Sequence, residues 1–498
     1  MHQSVLPGIR CAGSWQSVRA PVSRRRRLAG VVTIRFVSSA LTTPLRAVSR
    51  DGAPSSSGTR SDPGHAAPGE YLIVLPVRFH RLASGSVALE SAFCEHLRLL
   101  RAQLAPAFTH FTVAAPTMDP AQYARERQHL GRIDEDRDGI RWVALHPGTA
   151  SRRAFWLRHS APVLLRLWRE VRRAALVHAG TSHDLYRPIE ITALALAKLF
   201  GKKTVCVVDI DLRAEARMKH LTGRLGRKSL FLCRAVYDPL RSLQLRSAAR
   251  WCSLVLLKGR KLLRDYGRGR AHVKYFLDAA FSAEHLISAP ALAQKTRDLA
   301  DPAQRLELVY FGRLTACKGI DRCIEAVARA SELGAASLRL TVIGSGEEAG
   351  NLARLCTELG IEPLVEFRAA LPFGRPLFEA LRPCHLLLAA PLIEDTPRSA
   401  LDAMACGLPI LAFATDYYAD LAECGAVDLV PWPSVEHMAE RIAHFASDKR
   451  RLLPLAMAGI AFARANTQEI WLQSRAQWTL DLFEPRAESS TLQRANTS

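Results

Sequence analysis

The chain has 498 residues, enough for two cored domains and a tail, and its 48% apolar and 23% charged content excludes a wholly disordered or collagen-like polymer. A formal charge of +21 favours acidic partners, whether nucleic acid, anionic lipid or phosphorylated metabolites, without choosing among them. The eleven cysteines form no C-x-x-C pair and no Cys/His cluster at ligand spacing, which excludes a zinc site and a disulfide framework and points to a reducing cytosol.

Residues 1–68 carry ten Arg, no Lys and only Asp51 and Asp62 as acids, and they close in a Ser/Gly/Pro-rich run. Such a composition predicts a disordered extension. The run Arg24 to Arg27 in acid-poor, Ser-containing surroundings resembles an organellar transit peptide, while a solvated tail or a start codon placed too far upstream fits as well. Order begins near Tyr71 with a buried strand over 71–76, a loop through Ser84-Gly85-Ser86 and a helix over 89–100. Apolar runs at 111–115, 142–145, 175–178, 204–208 and 254–257 alternate with helix-like segments and predict a parallel sheet in a Rossmann-like domain spanning 69–290. Within it, residues 155–169 read either as a basic amphipathic segment resting on an anionic membrane or as an ordinary core-facing helix. No run of eighteen apolar residues offers a spanning helix, so membrane contact is expected to be peripheral.

A polar stretch over 288–305 separates a second alternation, with strands predicted at 306–311, 338–343, 364–367, 385–389, 409–413 and 427–430 and five helical segments between them. The second domain is placed at 303–465, an amphipathic helix at 466–484 with Trp471 and Trp478 packs back on the first domain, and 485–498 is a tail. The fold class is α/β, two Rossmann-like parallel-sheet domains facing a cleft, in which ligands occupy the crevice at the carboxyl ends of the strands.

Two loops at those ends carry chemistry. After 306–311 comes Gly312-Arg313-Leu314-Thr315-Ala316-Cys317-Lys318-Gly319, where a guanidinium and an ammonium flanked by glycines are placed to clamp a diphosphate. After 385–389 comes a run in which Thr396 is a good N-cap, Pro397 suits the first helical position, Gly407 suits the C-terminal cap and Pro409 forbids continuation. The first-turn amides of Arg398, Ser399 and Ala400 then face the crevice as a phosphate site. Glu394 lies outside that helix tip and Asp402 within the helix, and carboxylates at both ends accept hydrogen bonds from sugar hydroxyls. The competing structural readings are solvated loop cations, a cap at Glu394 and a helix brace at Asp402.

In this order, Gly312-Arg313 with Lys318-Gly319, the turn Gly344-Ser345-Gly346, the Glu394-x7-acid element and Ala403-Met404-Ala405-Cys406-Gly407-Leu408-Pro409 resemble the retaining glycosyltransferases of family 4, which have the GT-B fold. The resemblance covers residues 306 to 430. It implies that the chain moves a sugar from a nucleoside-diphosphate sugar to an acceptor with retention of configuration, with no metal and no other cofactor. It also implies that Arg313 and Lys318 neutralise the donor diphosphate, Glu394 holds the donor sugar and the acid at 402 binds the ribose. The family carries Glu at that second acid, and Asp402 is one methylene shorter. In the first domain His178 lies near the family's catalytic-side histidine, with His183 as a competitor. The expected partners are the nucleotide sugar, an acceptor of unspecified kind and an anionic membrane surface, at the cytoplasmic face; no nucleic acid is expected, since the basic surface lacks interleaved aromatics.

Three other readings compete. Gly344-Ser345-Gly346-Glu347-Glu348-Ala349 with Glu366 about twenty residues on loosely matches the fingerprint of an NAD(P)-dependent oxidoreductase, but it follows the second strand of its domain and leaves Arg313, Lys318 and Glu394 idle. A catalytically inactive basic adaptor for membrane or nucleic acid on the same scaffold rests on the charge and on Asp402. Finally, Asp209-Ile210-Asp211 superficially matches a metal-holding D-x-D; with the phosphate equipment in the other domain, both acids are expected on the acceptor side of the cleft.

Overall fold

The computed structural model describes residues 69–484 apart from 106, 128, 129, 182, 183, 210, 211, 222, 268 and 336. The Arg-rich extension, His183, Asp211 and the tail at 485–498 lie outside the described residues.

The strands in chain order are β1 (Glu70–Val74), β2 (His80–Arg81), β3 (Val87–Glu90), β4 (His110–Thr117), β5 (Leu130–Ile133), β6 (Ile140–Pro147), β7 (Ala174–Gly180) and β8 (Lys203–Val208). They continue with β9 (Leu254–Lys258), β10 (Val273–Phe276), β11 (Leu306–Phe311), β12 (Leu338–Ile343), β13 (Val365–Arg368), β14 (Leu386–Ala389), β15 (Ile410–Phe413) and β16 (Val427–Val430). One parallel sheet has the order β10-β9-β8-β7-β1-β4-β6, a second has β13-β12-β11-β14-β15-β16, and β2, β3 and β5 make a small antiparallel sheet. Strands such as Leu254-Val255-Leu256-Leu257 are buried along their whole length, because helices cover both faces of a parallel sheet.

In the second sheet, β11, β12 and β16 have the bounds read from the sequence, the remaining strands lie within one residue, and five α-helices lie between them. The helix Ile320–Glu332 shows why: Ile320, Cys323, Ile324 and Val327 repeat at helical spacing and are buried against the sheet. The first domain departs more. Leu89 and Glu90 join β3, paired with Gly131 and Leu130, so the first helix spans Ser91–Leu104 rather than 89–100. Long-range pairing overrides local propensity there. The polar stretch at 288–305 is largely a helix, Ala289–Ala300, whose Lys295 is buried with its ammonium on the Cys384 carbonyl.

Sheet order fixes where ligands go. The chain leaves β11 outward through β12 and β13, then returns to β14 on the other side, which makes the carboxyl ends of β11 and β14 the switch point where a crevice is expected. The first sheet has the same switch between β1 and β7. The helix Gln468–Leu480 packs on Ser91–Leu104, and its Ala476 joins the core around Tyr71, Phe108 and Phe111.

Candidate functional site

The loops after β11 and β14 are held edge to edge by backbone. Gly319 has φ 66°, and a Cβ there would stand 1.8 Å from the Ala390 carbonyl oxygen, so only glycine lets the loops meet. Leu392 N–H donates to the Cys317 carbonyl at 2.9 Å across the same seam. Gly344 and Gly346 likewise lie flat against Gly312 and Leu314, where a Cβ would come within 2.0 and 2.2 Å of their carbonyl oxygens. These glycines thus serve loop packing, and Glu366, which the dinucleotide reading needs for a ribose, is bound to Arg339 and Arg368 instead.

The seam shapes a crevice of about 480 Å³ lined by Arg313, Lys318, Asp395, Arg398 and Ser399 of the second domain and Lys258 of the first. Lys318 is ion-paired with Asp395. Lys258, the last residue of β9, is buried, 3.5 Å from Asp278, and its ammonium reaches the Thr396 carbonyl at 3.4 Å. Arg398 also lines an adjoining cavity of about 490 Å³ with Gly312, Arg313, Gly344, Ser399, Phe373 and Asp402. Asp402 is buried there, and its Oδ1 has no hydrogen-bond partner. Burial pushes its pKa up to about 7, against the opposing pull of Arg398.

Two expectations need correction. Thr396 is not an N-cap: the helix is Ser399–Ala405, with Arg398 at the cap position and no side-chain cap. Thr396 N–H instead donates to Asp395 Oδ1, and the Tyr417 hydroxyl donates to the Pro397 carbonyl, so this stretch is held as a loop. The leading amides of the first turn are therefore those of Ser399 and Ala400, and the Ala400 side chain is in the core. Glu394, in turn, does not line the crevice; it is buried and accepts N–H groups of Tyr417 at 2.9 Å and Asp416 at 3.2 Å, capping the helix Asp416–Ala422. Burial pushes it up to about 7. The far end of the Ser399 helix is as read: Gly407 has φ 67°, its N–H donates to Met404 O and that of Leu408 to Ala403 O, a Schellman closure.

Across the cleft, His178 sits on β7 at the first sheet's switch point, its Nδ1 2.8 Å from the Tyr71 hydroxyl. Burial, reinforced by Arg475 and His96, holds it down to about 3, so it is neutral. It lines a cavity of about 290 Å³ with His96, Asp209, Asp278, Arg398 and Arg475. Asp209 lines both this cavity and the crevice, while among the described residues no group of three or more His, Cys, Asp or Glu is arranged to hold a metal.

Sequence reasoning missed Lys258, Asp278, Asp395, His96 and Arg475. A lysine closing an otherwise apolar strand is a usable signal for Lys258, and Asp395 stood beside the chosen Glu394. Asp278 follows β10, a strand that was not anticipated.

Residues 294–460 match the family model described as Glycosyl transferases group 1. A stretch of 126 residues, 24% of this chain, is 37% identical to the D-inositol 3-phosphate glycosyltransferase of Stackebrandtia nassauensis and covers 28% of that relative. The curated relatives matched are spanned over less than half of their own length, at most 41%. Among solved structures, Anabaena Alr3699/HepE in complex with UDP and glucose aligns with a TM-score of 0.54 at 16% identity, over 83% of this chain and 99% of that one. WaaG, a glycosyltransferase involved in lipopolysaccharide biosynthesis, aligns with a TM-score of 0.54 at 14% identity, over 82% and 99%. At such identities the likeness establishes the fold, which is the GT-B arrangement of two parallel-sheet domains. Among the described residues no helix is long and apolar enough to cross a membrane.

Proposed function

We propose that this chain is a group 1 glycosyltransferase of family 4 that transfers a sugar, with retention, from a nucleoside-diphosphate donor to an acceptor entering from the first domain. The observation that carries the reading is the convergence of Arg313, Lys318, Arg398 and Lys258 on one crevice at the switch point, beside a cavity into which the unpartnered Asp402 carboxyl opens. The cations take the diphosphate, Asp402 takes the ribose hydroxyls, and the flat Gly312 and Gly344 backbone with Phe373 receives the base. Asp395 replaces Glu394 as the acid facing the donor sugar, and Glu394 positions it by anchoring the loop to the Asp416 helix.

Breaking the bond between sugar carbon and phosphate oxygen builds negative charge on the leaving diphosphate, and cations already in place lower that barrier without reorganisation. Each such donor is worth about 3 kcal/mol, on the order of a hundredfold in rate. With four cations in reach, no metal is assigned to the reaction and no further cofactor is required. Thermal shift of the full chain with UDP and GDP sugars in chelator tests the reading; a donor-specific rise in Tm is expected, and no rise with either series would refute it.

A specific observation also supports an anionic membrane as a partner. In the segment 155–173, Phe155, Val163 and Leu167 are buried, yet Trp156, Leu157, Leu164, Leu165 and Trp168 remain exposed. The segment thus has a core face and a second, open apolar face, interleaved with Arg158, Arg166, Arg169 and Arg172. Co-sedimentation with phosphatidylglycerol vesicles is expected for the wild type and reduced for Leu157→Glu; equal binding by both would remove the membrane role.

A further inference from the structure

The C-terminal helix carries one group that the donor reading leaves unused. Arg475 lies on the buried face of Gln468–Leu480 with Leu472, Ala476 and Thr479, and is only 7% exposed. Its Nε is buried without a hydrogen-bond partner, and among the described residues the guanidinium makes no hydrogen bond or ion pair. The guanidinium carbon lies over the face of the Phe276 ring, 4.8 Å from its centroid. A buried cation without a partner costs stability, so a fold keeps one where something else completes it. The group opens onto the 290 Å³ cavity that also holds His96 and His178 and that adjoins the diphosphate crevice through Asp209, Asp278 and Arg398. Asp278 in the same wall pairs with Lys258 at 3.5 Å and feels the charge of Arg475 without a hydrogen bond to it, so the guanidinium's donors stay open.

We infer that Arg475 is the anion-binding residue of an acceptor subsite, and that the acceptor is a hydroxylated molecule bearing a phosphate or carboxylate group. The inference rests on the transferase reading and specifies its second substrate. A planar guanidinium matches either anion bidentately. The acids Glu90, Glu190, Asp209 and Asp278 line the same cavity and accept hydrogen bonds from hydroxyls, which suits a sugar or polyol whose anion is turned toward Arg475. Burial holds His96 down to about 4, so near neutral pH its ring is an uncharged donor or acceptor; the cations of the cavity are Arg475 and Arg398, and Arg398 also lines the diphosphate crevice. The proposal makes this helix part of the active cleft rather than a clasp alone.

The test uses the full chain saturated with the nucleoside diphosphate that raises Tm most, so that the donor crevice is filled. Inorganic phosphate and, in a parallel arm, glucuronate are titrated at constant ionic strength, and the shift in Tm is read for wild type, Arg475→Gln and Arg475→Lys. A saturable shift is expected in the wild type with at least one anion, and the arm giving it identifies the group. Arg475→Gln should weaken that response by on the order of tenfold while keeping the nucleotide shift, and Arg475→Lys should fall between. An unchanged response in Arg475→Gln, or no response in the wild type to either anion, would overturn the proposal. If Arg475→Gln does not fold, Arg475→Lys decides, and a wild-type response there would overturn it. Absence of a nucleotide shift would count against the donor reading alone, since dependence of the anion response on Arg475 can still be read.

Discussion

Single side chains divide the crevice into groups that act on charge and groups that hold the fold. Lys318 is already paired with Asp395, so removing it frees a half-buried acid as well as a cation. Lys318→Ala is expected to lower turnover by on the order of a hundredfold with little change in Tm, and unchanged turnover would return the pair to a structural role. Asp402 makes a pH prediction. Its pKa in the folded chain, about 7, lies above its ordinary 3.8, so its contribution to stability is complete below about pH 4 and is lost as pH rises toward 7. Asp402→Asn should therefore gain in Tm relative to wild type between pH 4 and 7, while its donor affinity falls. Parallel Tm curves would show that the carboxyl is not held protonated. These residues were legible in the sequence because diphosphate chemistry needs cations on a strand-end loop. The orientation of Glu394 was not, because neighbours such as Glu394 and Asp395 on a loop face different ways and only the packed helix Asp416–Ala422 decides which. Glu394→Gln offers an amide where a carboxylate accepted two N–H bonds, so it should melt earlier than wild type. An unchanged Tm with lost turnover would return Glu394 to the donor sugar.

Among the elements, the seam between the two loops is the most sensitive. Gly319→Ala meets a positive φ, costing about 1–2 kcal/mol, and a carbonyl oxygen at 1.8 Å, which adds on the order of 1–3 kcal/mol of overpacking. A lower denaturation midpoint and weaker donor binding should follow together; a midpoint equal to wild type would mean that the loops do not meet as described. The strands of the second domain were readable because each is a short apolar run between glycine or polar breaks. Those of the first were less so. The small sheet of β2, β3 and β5 depends on partners forty residues apart, and the helix Ala289–Ala300 hides its few packing contacts among charges. The start of the Ser399 helix was misplaced for a related reason, since Tyr417 binding the Pro397 carbonyl is a contact from a distant helix.

For the whole molecule, the two switch points face each other across the cleft, and ion pairs from the first domain to the Asp416 helix brace one side of it. Arg264 reaches Asp420 at 2.8 Å, and the Lys261 amide reaches the same carboxylate at 2.7 Å. The cleft brings Lys258, Arg313, Lys318 and Arg398 from both domains to one place, which no reading of either half alone could supply. Arg398 lines all three cavities, so it is the residue on which the donor assignment turns. The measurement that bears most directly is calorimetric titration of the preferred nucleoside diphosphate into chelator-treated wild type and Arg398→Ala. The wild type should bind without added metal and the variant at least tenfold more weakly, the loss of one charge-assisted contact. Equal affinity in the two proteins, or binding that appears only when a divalent cation is restored, would contradict the assignment.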